Sequence, residues 1–212
     1  MAGSSAKAQN WVYTEGLAVE SEAAQQARAA AAEAGIECVT PATGALLETF
    51  AAMARAKHVV EVGTGTGVSG TWLLAGMASD GVLTTIDVEV DLQREARRAF
   101  AAAGIASSRT RTIGGRAMDV LPRLANGNYD LVLVDAEVTD AADHLAQAKR
   151  LLRPGGTVVV TEALWGDKVA DPARRDSDTV AMREVIRTVM EDEGLHATLL
   201  PTGGGVLVAV KR

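Results

Sequence analysis

Glu61, Ser69 and Asp87 frame the segment of this chain best suited to chemistry, a strand-like run into four glycines, HVVEVGTGTGVSG at 58–70. Gly63, Gly65 and Gly67 have no side chain, so the backbone there can turn tightly and bring its amides against a ligand. Strand, glycine turn and helix in succession grip the ribose end of a nucleotide-like cofactor at a helix N-terminus. Glu61 lies inside the strand, two residues before the first glycine. An acid there suits a ligand carrying an ammonium or sulfonium group, and Ser69 at the helix start suits a carboxylate. Ammonium, sulfonium and carboxylate together describe the methionine half of S-adenosylmethionine (SAM). Gly65, Gly67 and Gly70 also satisfy the dinucleotide pattern G-x-G-x-x-G, so an NAD(P) oxidoreductase stays open at this point. Dinucleotide folds usually keep the position of Glu61 apolar.

Asp87 closes VLTTID, 24 positions after Gly63. An acid at the end of a second strand accepts both ribose hydroxyls. That serves NAD and SAM equally, so Asp87 supports the class without choosing within it.

The elements needed to position these groups follow from periodicity. One helix is expected over 14–34, stopped by Gly35, and another after Pro41 with Leu46, Leu47, Phe50 and Met53 on one face. Strands are expected near 58–62, 82–87, 109–113, 130–135 and 157–161, with helices near 68–77, 90–103, 116–125 and 140–152. This alternation implies a mainly parallel, doubly wound α/β sheet with helices on both faces. A last helix carries Met182, Val185, Ile186, Val189 and Met190, read as core packing, and ends at Gly194. Strands near 195–200 and 205–210, joined by PTGGG, are too short to be anything but a hairpin, so the seventh strand runs antiparallel. A parallel sheet with that ending is the pattern of SAM-dependent methyltransferases and not of dinucleotide domains.

The 212 residues suit one domain, 1–212, with residues 1–10 disordered and helices over 14–56 added in front. Aromatic residues are only 3% of the chain, so the core is aliphatic and alanine-rich. A net charge of −6 argues against a nucleic-acid groove or an anionic membrane surface. One cysteine, Cys38, allows no internal disulfide and fits a reducing, cytoplasmic setting. The start of the chain lacks the apolar region of a signal peptide, and no stretch approaches the ~20 apolar residues of a membrane span. No His/Cys/Asp cluster has zinc spacing, and no G-x-S-x-G elbow is present. His144, on the helix after the fourth strand, reads as a surface residue, and His58 opens the first strand at its far end.

Over roughly residues 11–211 the chain resembles the O-methyltransferase family that includes catechol and caffeoyl-CoA O-methyltransferases, especially its small bacterial members. The resemblance rests on EVGTGTGVS (61–69), TTID (84–87), GRAMDVLPRL (115–124), YDLVLVDAE (129–137), LLRPGG (151–156) and TEALWGDKVADP (161–172). It implies methyl transfer from SAM to an oxygen of a small-molecule acceptor, and a homodimer. It also implies that Glu61, Gly63, Gly65 and Ser69 hold the methionine end of SAM, that Asp87 takes the ribose hydroxyls and that Ala117 sits near the adenine. Val39 and Thr40 would line the methionine pocket. Asp135 would stand beside the reactive methyl group.

The chain departs from the family pattern where a metal ion is usually held. The matching positions are Asp135, Thr161 and Glu162, where the family has Asp, Asp and Asn. A threonine hydroxyl is a poor ligand for a hard cation. The usual catalytic lysine is Val138, and Arg116 replaces an acid that accepts from the adenine amino group, although arginine has no acceptor. Two arrangements follow. Asp135 and Glu162, with Glu137, hold Mg²⁺ in a rearranged shell; or no metal binds, the favoured reading, and a carboxylate, with Glu162 the candidate, serves as base or merely shapes the pocket. Glu162 reads equally as a solvent-facing strand-end acid, and Trp165 as a pocket wall or a core anchor. Loss of the lysine also leaves open a SAM-binding protein without catalysis.

Overall fold

The structure is a computed structural model that describes residues 2–135 and 138–212; Ala136 and Glu137 lie outside the described residues, as does Met1. Seven strands form one sheet in the order β3-β2-β1-β4-β5-β7-β6. β1 (His58–Val62), β2 (Val82–Asp87), β3 (Thr110–Gly114), β4 (Tyr129–Val134) and β5 (Leu152–Val160) are parallel. β6 (Leu195–Leu200) and β7 (Val206–Lys211) form the expected hairpin, and β7 runs antiparallel to β5. The doubly wound α/β fold with an antiparallel seventh strand is therefore as anticipated.

The strands are Val- and Leu-rich because both faces are covered. Val60, Val62, Val132, Val134, Val158 and Val160 point to one face, packed under α7 (Ala141–Leu151) and α8 (Ser177–Glu191). Val59, Leu131, Leu133 and Val159 point to the other. Helices α3 (Pro41–Met53), α4 (Val68–Gly76) and α5 (Val90–Ala102) cover that side. Strand alternation puts Glu61 on the second face with Val59, beneath α4.

Several local expectations need correction. The start, read as disordered, is placed as a helix, α1 (Ala2–Glu15). Small residues suggested a loose start, but alanine is the best helix former, and the segment continues into AKAQN. The single helix expected over 14–34 is two. Gly16 ends the first, and Ser21 opens α2 (Glu22–Ala34), its side chain accepting from the Ala24 amide at 3.2 Å. The helix expected over 116–125 shrinks to α6 (Ala117–Val120) and a 3-10 turn at Leu121–Arg123, because Pro122 brings no amide hydrogen to continue it. His144 is not a surface residue: it is 4% exposed. Met190, read as core, is 51% exposed. Among the described residues no helix is long and apolar enough to cross a membrane.

Candidate active site

The strand order reverses between β1 and β4, and such a reversal opens a crevice at the carboxyl ends of the strands. Gly63 follows β1 with φ +94°, and a Cβ there would overlap the Asp135 carbonyl. Gly67 has φ +92°, and its missing side chain lets α4 begin against Ala96 of α5. Both positions thus require glycine. Asp87, at the end of β2, clamps the turn: one carboxylate oxygen accepts the Gly65 amide at 2.8 Å and the other the Glu89 amide at 2.9 Å.

Beneath the turn lies a buried polar chain. Glu61 is fully buried; it accepts the Ser69 hydroxyl at 2.7 Å and the Thr85 hydroxyl at 2.6 Å. Thr85 meets Thr64 at 2.7 Å. Burial pushes the Glu61 carboxyl up to about 8, against the Thr85 and Ser69 hydroxyls that favour its charged form. Glu61 does not line the crevice. It holds the residues that do.

Three cavities of about 500 Å³ each meet over the strand ends, and Asp135 lines all of them. The first, of about 520 Å³, is walled by Gly63, Thr64, Gly65, Ser69, Asp87 and, opposite them, Glu162 and Trp165. The second, of about 510 Å³, runs from Gly63 and Asp87 past Val88 to Ala117, Met118 and His144. The third, of about 500 Å³, runs the other way, past Cys38, Val39, Thr40 and Glu162 to Trp11 of α1. Of the residues nominated for SAM or catalysis, Val39, Thr40, Gly63, Gly65, Ser69, Asp87, Ala117, Asp135 and Glu162 face one of these spaces, and Glu61 does not.

The far wall of the third cavity comes from segments that sequence reasoning did not connect. Arg28 on α2 grips Glu20 at 2.7 Å, the Val39 carbonyl at 2.7 Å and the Cys38 sulfur at 3.1 Å, fixing residues 38–40. Glu15, at the end of α1, accepts the Ala42 amide at 3.2 Å, the Thr40 hydroxyl at 3.2 Å and the Gly203 amide at 3.3 Å. These bonds, some to backbone and some to side chains, join segments 8 to 188 positions apart, with no local motif to announce them.

Asp135 is held by Thr161, whose hydroxyl donates to it at 2.5 Å. Burial raises the Asp135 carboxyl above the usual range, opposed by that hydroxyl and reinforced by Asp87. Glu162 has φ +52°, and Trp165 and Asp167 are also left-handed, an unusual density of strained residues that costs about 1–3 kcal/mol each. The loop is pinned to the hairpin turn by amides of Ala163 and Leu164 on the carbonyls of Gly205 and Gly204. The Glu162 carboxylate lies against the Gly204 backbone. Burial, then the charges of Asp135 and Glu37, raise its pKa. Val138 is 3% exposed within the apolar core and offers nothing to the crevice.

The residues fit SAM: an acid at the end of β2, open glycine backbone over β1, and an apolar slot at Ala117 and Met118. They do not fit a hard dication. At the three metal positions stand a carboxylate already bonded to a hydroxyl, that hydroxyl itself, and a carboxylate turned onto a backbone amide. Among the described residues no group of three or more His, Cys, Asp or Glu converges as a cation site. Glu137, the other ligand considered, lies outside them.

Residues 17–212 match the family profile described as O-methyltransferase. A protein of Mycobacterium tuberculosis named as a probable O-methyltransferase is 51% identical over 201 residues, covering 95% of this chain and 90% of the relative. A crystal structure of a Corynebacterium glutamicum protein superposes with a TM-score of 0.90 at 35% identity, covering 97% of both chains. The O-methyltransferase TomG of Streptomyces achromogenes, solved in complex with SAM and involved in tomaymycin synthesis, superposes with a TM-score of 0.85 at 29% identity over 96% of both chains. With the sheet order, the glycine turn and the crevice already described, these likenesses place the chain in the O-methyltransferase family, as a SAM-dependent O-methyltransferase.

Proposed function

We propose that the crevice takes SAM along its first two cavities and a hydroxylated small molecule through the third, with Asp135 between donor and acceptor. The observation that carries this reading is that Asp135 lines all three spaces. Gly63, Gly65 and Ser69 face the methionine end, Asp87 the ribose, and Ala117 the adenine. Glu61 acts from below, fixing Ser69 and Thr85. Val39 and Thr40, expected in the methionine pocket, line the third cavity past Asp135 and are assigned to the acceptor side.

SAM, when bound, supplies an electrophilic methyl group on a sulfonium that leaves as a neutral thioether. The chain must align the acceptor oxygen and remove its proton. Alignment in a closed pocket supplies roughly 7–11 kcal/mol. Glu162 is the proposed base: it faces both the first and third cavities, and its raised pKa brings it closer to a hydroxyl's proton affinity. Thr161 positions Asp135 rather than a metal. The reaction is therefore proposed to be metal-independent. The exposed apolar residues Trp11, Val12, Tyr13, Leu17 and Val19 support a homodimer through the N-terminal segment, which light scattering on the eluting protein tests.

Labelled methyl transfer from SAM to a panel of phenols and other hydroxylated acceptors tests the proposal. Turnover unaffected by EDTA is expected. A rate restored more than about tenfold by Mg²⁺ overturns the metal-free reading. Tight S-adenosylhomocysteine binding without turnover on any acceptor leaves a binding protein instead.

A further inference from the structure

We infer that His144 supplies the hydrogen-bond acceptor for the 6-amino group of the cofactor's adenine. The inference rests on the SAM reading of the crevice and names a contact within it.

Three observations converge on this position. His144 lines the second cavity together with Val88, Ala117 and Met118, the apolar surfaces between which a purine ring fits. The imidazole is 4% exposed, and its Nδ1 has no hydrogen-bond partner among the described residues. A buried polar atom without a partner is rare and calls for an explanation. Finally, Arg116, at the residue before α6 on the same wall, carries donors only. The amino group of an adenine in this slot finds no acceptor there.

The rest of the inner face of α7 shows how exceptional the histidine is. Its other buried residues are Ala141, Ala148 and Leu151. An apolar side chain at position 144 would pack without leaving an orphaned nitrogen. Burial lowers the His144 pKa, against the charges of Asp140 and Asp143, and so favours the neutral ring, with one N–H and one bare nitrogen. The inferred contact requires the bare nitrogen to face the cavity, which a rotation about Cβ–Cγ provides without moving the backbone. A neutral ring accepts from an exocyclic amine; a protonated ring cannot. The rival acceptor is Asp140, a carboxylate on the same cavity wall, one residue before α7.

The test compares S-adenosylhomocysteine with its analogue lacking the 6-amino group, in which purine replaces adenine, by calorimetry at pH 7.5. The wild-type chain is expected to bind the amino form about tenfold more tightly. His144→Phe, which fills the same space, brings the two ligands within about twofold of each other, and His144→Gln, which restores an acceptor, recovers the preference. Asp140→Ala keeps it. The inference is overturned if the wild type does not distinguish the two ligands. It is also overturned if a folded His144→Phe variant, melting within a few degrees of wild type, still prefers the amino form, or if only Asp140→Ala loses the preference. If neither ligand binds the wild type, the SAM reading itself fails.

Discussion

The two ends of the crevice are built in opposite ways. On the side proposed for the donor, Gly63, Gly65, Asp87 and Ala117 sit at or just beyond the ends of parallel strands, and the support is a continuous buried chain from Ser69 through Glu61 and Thr85 to Thr64. On the acceptor side, the wall is assembled from α1, the 36–40 segment, the strained loop at 162–167 and the hairpin turn at 203–205. The first is fixed by sheet geometry and leaves little room for variation. The second is fixed by a handful of side-chain hydrogen bonds that reach across the sequence, so its outer part, at Trp11, Thr40 and Gly203, can change shape with little effect on the first. A cofactor common to a family and an acceptor particular to each member need that division.

The largest effect should come from the donor side. Gly63→Ala forces a side chain into the Asp135 carbonyl at a left-handed position. Loss of S-adenosylhomocysteine affinity of at least ~100-fold is expected by calorimetry. If this variant binds normally, the rigid-floor half of the comparison is wrong.

Next is the chemistry at the boundary. Glu162→Gln should lower kcat by ~10²–10⁴-fold while S-adenosylhomocysteine affinity stays within about twofold. A base must be unprotonated, so wild-type kcat should fall as pH drops through the raised Glu162 pKa, at higher pH than an ordinary carboxylate would give. The acidic limb should vanish in the variant.

A smaller effect, on stability, reports the buried chain. Glu61 has a reference pKa of 4.5 and holds its proton to about 8 in the folded state. Between these values the unfolded chain has released the proton and the native one has not. The contribution of Glu61 is thus full below the lower value, declines as pH rises across the window, and is level above it. Relaxation around a buried carboxyl discounts the full shift, so about 2 kcal/mol should separate the ends of the window. Urea melts of wild type and Glu61→Gln at several pH values measure it: their stability difference should change with pH in this direction. A difference independent of pH would show that the carboxyl is ionised throughout.

The mildest change tests the adjustable half. Glu15→Ala removes the contacts to Ala42, Thr40 and Gly203. A rise of about three- to tenfold in acceptor KM is expected with cofactor affinity unchanged. Steady-state kinetics with each substrate varied in turn would show it, and an equal loss for both substrates would deny the two halves their independence.

The same division governs what could be read from the residues alone. Gly63, Asp87 and the antiparallel hairpin were legible because strand period, turn glycines and strand-end acids are local signals. Glu61 was read as touching the ligand. Its place on the α4 face follows from the alternation Val59, Val60, Glu61, Val62, which shows that it cannot share a side with its neighbours, but not which side is covered. The burial of His144 was missed because helix α7 is alanine-rich, and small residues blur the boundary between an inner and an outer face. Glu15 and Arg28 carried no signal, since their partners, backbone atoms of Val39, Ala42 and Gly203 and side chains of Glu20, Cys38 and Thr40, form no motif and are brought near only by the folded chain.

The bond from Glu15 to the Gly203 amide spans 188 positions of sequence. A ribosome delivers the first of these groups long before the second. The sheet from β1 to β5 can pair while the hairpin is still being synthesised, so the donor's seat can form on an incomplete polypeptide. The cavity proposed for the acceptor waits for the closing turn, so its wall is the last part of the crevice to be completed as the chain is made.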